Sequence, residues 1–260
     1  LHDLRSGRSA TALDTYQDHG RLHLAQTREN LHSQLVSDYL QARAQHSDPW
    51  QVAVLAPRRR DLTDLNQLIR EKLIADGSLG RRQIKVQTPD GTVSFRKGEQ
   101  VIVTRNHHDR QLLNGTRGTV RNVRRDGIVV DLTDGRRILL DKGWLAEGDL
   151  DHGYAMTLHK AQGRTVHTSL VLGDDSLSQE GGYVGLSRGT NANHLYLDTE
   201  TEHALRDCSQ HDIATHETPT PATTRALSRS SRQALANELL EPSRLQTSRH
   251  HLERDEGLSR

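Results

Sequence analysis

At 260 residues the chain can hold one large domain or two small ones, and its formal net charge of +1 gives no global basic field that would advertise nucleic acid. Hydrophobic residues make up 33% and aromatic residues 3%, which is lean for this length, and the apolar residues concentrate between positions 50 and 197. Cys208 is the only cysteine, which excludes an internal disulfide framework and fits a reducing, cytoplasmic compartment, and no apolar run approaches the ~18 residues of a membrane span.

The start, Leu1-His2-Asp3-Leu4-Arg5, has neither an initiator Met nor an apolar leader, so the chain reads as an internal or C-terminal piece of something longer. Residues 1 to 48 read as a helical lead-in that packs on the main body of the chain. A short apolar-spaced piece from 10 to 16 stops near His19-Gly20. A second helix from 30 to 44 carries Leu31, Leu35, Tyr39 and Ala42 on one stripe. Val52-Ala53-Val54-Leu55-Ala56 is apolar throughout, the mark of a strand buried on both faces. Pro57-Arg58-Arg59-Arg60 breaks it at the end where open α/β sheets place their ligands, and a helix runs from 61 to about 75. Arg58 reads either as a phosphate contact or as part of a solvated basic turn.

From 81 to 144 the texture changes. Short apolar pieces alternate with Asp90-Gly91, Asn114-Gly115, Asp126-Gly127 and Asp134-Gly135, all strong hairpin markers. Strands are expected near 85–87, 100–104, 118–123, 128–132 and 137–140, and five such strands suggest a small closed β-barrel. Gly115 and Gly118 read as turn glycines. Arg117, Arg121, Arg124 and Arg125 read either as a phosphate-tracking patch or as ordinary exposed charges.

The chain centres on Tyr154-Ala155-Met156-Thr157-Leu158-His159-Lys160-Ala161-Gln162-Gly163-Arg164-Thr165. Thr157 is suited to cap a helix N-terminus and Gly163 to end it. Little more than one turn lies between them, too short to stand on propensity, and its hydroxyl, imidazole, ammonium and amide suit a ligand-facing turn. Tyr154 reads either as a base-stacking ring or as a core tyrosine. Ser169-Leu170-Val171-Leu172 follows as a buried strand, then a glycine-weakened helix from 177 to 188, then the short strand His194-Leu195-Tyr196-Leu197. The histidine pairs His107-His108 and His250-His251 lack a completing Cys or carboxylate spacing, so no metal cluster is expected.

Thr157-Leu158-His159-Lys160-Ala161-Gln162-Gly163 resembles motif V of superfamily 1 helicases of the RecD-like branch, and Tyr183-Val184-Gly185-Leu186-Ser187-Arg188 resembles their motif VI. Order, spacing and the strand between them all fit. The likeness extends over roughly residues 1 to 198 and points to the helicase part of MobF-type conjugative relaxases. It implies an α/β fold: a second RecA-like, P-loop NTPase-type motor domain from 49–80 and 151–200, with a small SH3-like β-barrel inserted at 81–150. A disordered polar tail is expected from 201 to 260, with one short helix at 234–240.

The resemblance also assigns roles. Arg188 is implied as the arginine finger, Gly163 and Gln162 as nucleotide-side groups, and Thr157, His159 and Lys160 as contacts to DNA phosphates. Arg58 and Asn114 match further positions implied to face DNA. ATP and Mg²⁺ are the implied cofactors, held mainly by a first RecA-like domain of the same protein. The sequence itself holds no Gly-Lys dipeptide, hence no phosphate-cradling Gly-x-x-x-x-Gly-Lys-Ser/Thr loop. Its only Asp-Glu pair, Asp255-Glu256, follows no apolar strand. Single-stranded DNA and the first motor domain are the implied partners, with no membrane. Two other readings stay open: a non-enzymatic nucleic-acid-binding β-barrel module, and a degenerate helicase fragment.

Overall fold

The computed structural model describes residues 9–174, 179–199 and 201–203. Ala12, Leu13 and Tyr16 form the buried face of a first helix, α1 (Ser9–Asp18). The chain then turns at Gly20, which sits at φ +63°, into strand β1 (Leu22–Ala25). This corrects the all-helical reading of residues 1 to 48. Leu22 to Ala25 pair in parallel with Leu195 to Asp198, so the lead-in contributes an edge strand to the sheet. Four residues are too few for alternation to stand out.

Thr27 caps α2 (Arg28–Ala44), its hydroxyl accepting from the Asn30 N–H at 3.3 Å. Of the expected stripe, Leu31, Leu35 and Tyr39 are buried and Ala42 is half-buried. Strand β2 (Val52–Ala56) is buried at all five positions, and α3 (Arg59–Ala75) returns with Leu65, Ile69 and Leu73 inward.

The chain next builds a β-unit. Strands β3 (Gln83–Thr88) and β4 (Gly91–Arg96) make a hairpin. Strands β5 (Gln100–Val103), β6 (Arg117–Val123), β7 (Gly127–Leu132) and β8 (Arg137–Asp141) follow, then the short helix α4 (Lys142–Ala146) and β9 (Leu150–His152). The last five strands form an antiparallel sheet in the order β8-β7-β6-β5-β9. Hairpin and sheet share one core, in which Ile84, Phe95, Val101, Val120, Ile128, Val130 and Trp144 are buried together. The turn pattern predicts five strands in a closed barrel. Among the described residues no pairing joins β8 to β9, so the backbone forms an open sheet with a separate hairpin. β4 and β9 escaped the sequence reading because each is apolar at only one or two positions; their pairing partners make them strands.

Gly118 is not the turn glycine it resembles in the sequence. It lies inside β6, where an added Cβ would sit 2.8 Å from the Asp131 carbonyl oxygen and closer still to the Val130 side chain. Gly118→Ala is therefore expected to destabilise the protein by about 1–3 kcal/mol through overpacking, read from the urea midpoint. A midpoint equal to wild type would show that β7 yields freely. Gly115, by contrast, does need its positive φ of +87°.

After β9 the chain returns to the α/β body through β10 (Ala155–Thr157), α5 (Leu158–Ala161), β11 (Val166–Leu172), α6 (Gln179–Leu186) and β12 (Gly189–Asp198). The five-stranded sheet runs β1-β12-β11-β2-β10, parallel at every pairing. One face packs on α2 and α3 through Leu31, Tyr39, Leu65, Val54 and Leu170. The other packs on α1, α5 and α6 through Leu13, Ala161, Leu186, Leu55 and Val171. Burial on both faces explains the unbroken apolar run of β2 and the apolar Leu170-Val171-Leu172 end of β11. Polar ties join body and β-unit: the Tyr39 hydroxyl donates to Gln100 Oε1 at 2.6 Å, and Arg70 Nε donates to Glu99 Oε1 at 2.6 Å. The expected tail, beyond residues 201–203, lies outside the described residues, as does its helix at 234–240.

Candidate nucleotide and nucleic-acid interface

Thr157 ends β10 and caps α5, its hydroxyl accepting from the Lys160 N–H at 3.2 Å. Gly163, at φ +74°, turns the chain out of the helix. This single turn is held by packing. Ala161 is buried and Leu158 packs on the same core, while α6 approaches closely because Gly185 has no side chain. A Cβ there would lie 2.8 Å from Leu158.

Thr157 pairs with Ala56, the last residue of β2, and Thr168 with Val52, the first. The stretch between them therefore recrosses the face of the sheet from one end to the other. Along it His159, Gln162 and Gly163 are exposed, and Thr157 and Lys160 are half-buried. The polar groups do face outward.

Arg188 follows α6 and is half-buried. Its Nε donates to the Val184 carbonyl at 2.7 Å, Nη1 to the Arg164 carbonyl at 3.2 Å and Nη2 to Ser187 Oγ at 2.6 Å. The guanidinium thus rests on the negative end of its own helix and on the end of the 157–163 turn. The arginine that ends the second motif thus bonds to the residue directly after the first.

Two other expected contacts are placed differently. Tyr154 is 1% exposed, packed among Tyr39, Ala155 and Leu170, so it is a core tyrosine and not a base-stacking ring. Burial pushes its hydroxyl pKa far up. Its aromatic surface belongs to the α2/α3 face of the sheet, a choice the alternation at 153–156 did not decide.

Arg58 sits at the C-terminal end of β2, where its Nε lies 2.7 Å from Asp174 Oδ2. It is one of several charges gathered there. Arg28 makes a forked bond to Asp61, at 2.9 and 2.7 Å, and lies 3.8 Å from Asp174 and 3.7 Å from Asp198. Arg58 thus joins an ion network around the buried Asp61 and Asp174, while Arg59 and Arg60 of the same basic turn are exposed. Nothing in the sequence singles out Arg28; its partners lie 33 or more positions away.

Asn114 is exposed, at the tip of the loop before β6. The neighbouring Gly115 carbonyl accepts from Arg164 Nη2 at 2.6 Å, which brings this loop to the 157–163 turn. The four candidate arginines have different surroundings. Arg117 lies over the Trp50 ring at 4.7 Å, Arg121 pairs with Asp131 at 3.2 Å, and Arg124 and Arg125 are exposed.

Among the described residues one grouping has metal-ligand types: His107, Glu147 and Asp149 bring ligand atoms within 4.8 Å of one another. His107 Nε2 is 3.0 Å from Asp149 Oδ2, Trp144 Nε1 donates to His107 Nδ1 at 3.3 Å, and Arg105 Nε lies 3.3 Å from Asp149 Oδ1. These contacts engage His107 and Asp149, while Glu147 is exposed. No described helix is long and apolar enough to cross a membrane.

No family model matches the chain. A conjugal transfer protein TraA of Rhizobium radiobacter is 30% identical over 202 residues, covering 76% of this chain and 18% of that protein. An ATP-dependent DNA helicase Pif1 of Bdellovibrio bacteriovorus is 36% identical over 114 residues, 38% of this chain and 26% of that protein. A crystal structure of a Pif1 helicase from Bacteroides, in complex with ADP-AlF3 and ssDNA, aligns with a TM-score of 0.44 at 19% identity, covering 65% of this chain and 45% of that one. The chain thus spans under a fifth of the TraA length it matches. Over 76% of its own length it is homologous to the TraA conjugal transfer proteins, and over a shorter stretch to Pif1-type superfamily 1 helicases.

Proposed function

We infer that the chain is the second motor half of an ATP-dependent DNA helicase that acts on single-stranded DNA, with 5′ to 3′ polarity, in conjugative transfer. The observation that carries this reading is the tie between the second motif and the chain leaving the first: Arg188 Nη1 rests on the carbonyl of Arg164, one residue past the 157–163 turn. An arginine that senses a nucleotide and a turn that grips a strand must be mechanically joined if hydrolysis is to move DNA. The homology to TraA and Pif1 proteins supports the same reading.

The residues present fit one flank of an ATP–Mg²⁺ complex and no cradle: a forked guanidinium at Arg188, and a bare backbone at Gly163 with no atom within 4 Å of where a Cβ would stand. ATP, when bound by a neighbouring phosphate-cradling domain, supplies the phosphoryl-transfer chemistry. Arg188 would offer the phosphate oxygens the donors it now gives to two carbonyls and a hydroxyl, in stronger, charge-assisted bonds. Such an exchange would free the Arg164 carbonyl beside the turn. Thr157, His159 and Lys160 on that turn would hold backbone phosphates without reading sequence. The alternative of an autonomous β-barrel module is disfavoured, because cutting out residues 81–150 would strip Arg70 from the fully buried Glu99 and Tyr39 from Gln100.

Binding of a labelled oligo-dT tests the DNA side. Lys160→Ala is expected to weaken binding several-fold and to lower the slope of log K against log salt by about 0.7, the value for one lost single-strand phosphate contact. An unchanged slope would remove Lys160 from the interface, and an absence of binding by the wild-type chain would overturn the strand-gripping role of the turn.

A further inference from the structure

Arg164 occupies an unremarkable place in the sequence, one residue after the glycine that ends the 157–163 turn. In the fold its half-buried guanidinium bridges segments 49 residues apart. Nε donates to the Lys160 carbonyl at 2.8 Å and Nη2 to the Gly115 carbonyl at 2.6 Å. Its own carbonyl accepts from Arg188 at 3.2 Å. One residue therefore touches the turn, the β-unit and the arginine after α6.

The partner loop is shaped to present that carbonyl. Asn106 Oδ1 accepts from the Asn114 N–H at 2.7 Å, Thr116 Oγ1 from the Leu113 N–H at 3.1 Å, and the Gly115 N–H donates to the Val103 carbonyl at 2.8 Å. With Gly115 at φ +87°, an L side chain would be strained, and its Cβ would come within 3.3 Å of Arg164 Nη2. The guanidinium is costly to place there. Burial lowers its pKa, and Arg117, pushed down to about 10 first by burial and then by the charge of Arg164, faces it as a like charge. A neutral side chain would fill the space without that cost, so packing alone does not account for an arginine.

We propose that Arg164 is a positioning residue that locks the 113–116 loop to the 157–163 turn, so that Asn114 and His159 present one surface to the phosphate backbone of a single strand. The lock stands on the geometry above; its ligand rests on the DNA-handling reading.

Hydrogen–deuterium exchange on the 260-residue chain separates the two. Wild type, Arg164→Lys and Arg164→Ala are compared with and without oligo-dT. Without DNA, Arg164→Ala is expected to speed exchange of the 113–116 and 157–163 amides about tenfold, leaving the β7–β8 hairpin unchanged. Arg164→Lys, which keeps the charge but not the fork, is expected to fall between. At saturating oligo-dT, wild type gains protection in both segments, whereas Arg164→Ala gains it only at the turn. Unchanged exchange in Arg164→Ala overturns the lock. Faster exchange with DNA-induced protection of 113–116 intact reduces Arg164 to a structural tie and overturns its positioning role. If wild type binds no oligo-dT, the DNA reading fails, and the DNA-free comparison still decides the lock.

Discussion

ATP turnover is expected to fall by about 10³-fold or more when Arg188 is replaced by alanine in a polypeptide that joins this chain to a phosphate-cradling domain. Charge builds on the γ-phosphoryl oxygens during transfer, and a guanidinium meets it with forked donors that a lysine cannot reproduce. Arg188→Lys is therefore expected to stay strongly impaired. The side chain already has three donors directed at partners that are weak compared with phosphate: two carbonyls and a hydroxyl, with no carboxylate among them. An arginine serving only to cap α6 would cost about 1 kcal/mol of stability when removed and leave turnover untouched. Single-strand affinity and the melting temperature, measured on the same variant, separate the two roles. Near-normal turnover with a lowered melting temperature would make Arg188 a helix-end charge and nothing more.

Glu99→Ala is expected to cost about 3–5 kcal/mol of stability. Glu99 is fully buried. It accepts from Arg70 Nε at 2.6 Å and from the Arg96 N–H at 2.9 Å, and lies 3.2 Å from His152 Nε2. Its loss leaves the Arg70 guanidinium without a counter-charge at the seam between α3 and the β-unit. The same group makes stability depend on acid. Burial pushes the Glu99 pKa up, but the bond and charge of His152, the charge of Arg70 and the Arg96 N–H outweigh it, so it lies below the ordinary 4.5. A carboxyl with a lowered folded pKa stabilises fully above its unfolded value and loses that contribution as pH falls through the folded one. The urea midpoint of wild type should accordingly drop more steeply below about pH 4.5 than that of Glu99→Gln. Parallel acid profiles for the two proteins would refute the assignment.

Much of the candidate site was legible because its signals are local. A hydroxyl at Thr157 and a glycine at Gly163 bracket one helical turn in any context, and the hydroxyl does accept from the Lys160 N–H. The apolar run at β2 demands burial on both faces, and the four-residue stripe of α2 demands a sheet beneath it. What stayed hidden depends on partners far along the chain. Arg58 could not announce Asp174, nor Arg28 its forked bond to Asp61. Tyr154 lies one residue from a strand whose inward face only its neighbours define.

By itself the sequence determined the helices of the α/β body and its strands β2, β11 and β12, the capped turn at 157–163 and the order and spacing of two motifs, because periodicity, capping and turn chemistry act within a few residues. Tertiary structure alone decided that Leu22–Ala25 would become the sheet edge, that the β-unit would stay an open sheet with a hairpin, and that Arg164 would reach Gly115. Each of these is settled by an unpaired backbone edge or a buried donor finding its acceptor across the fold, and neither the edge nor the acceptor is written near the residue that needs it.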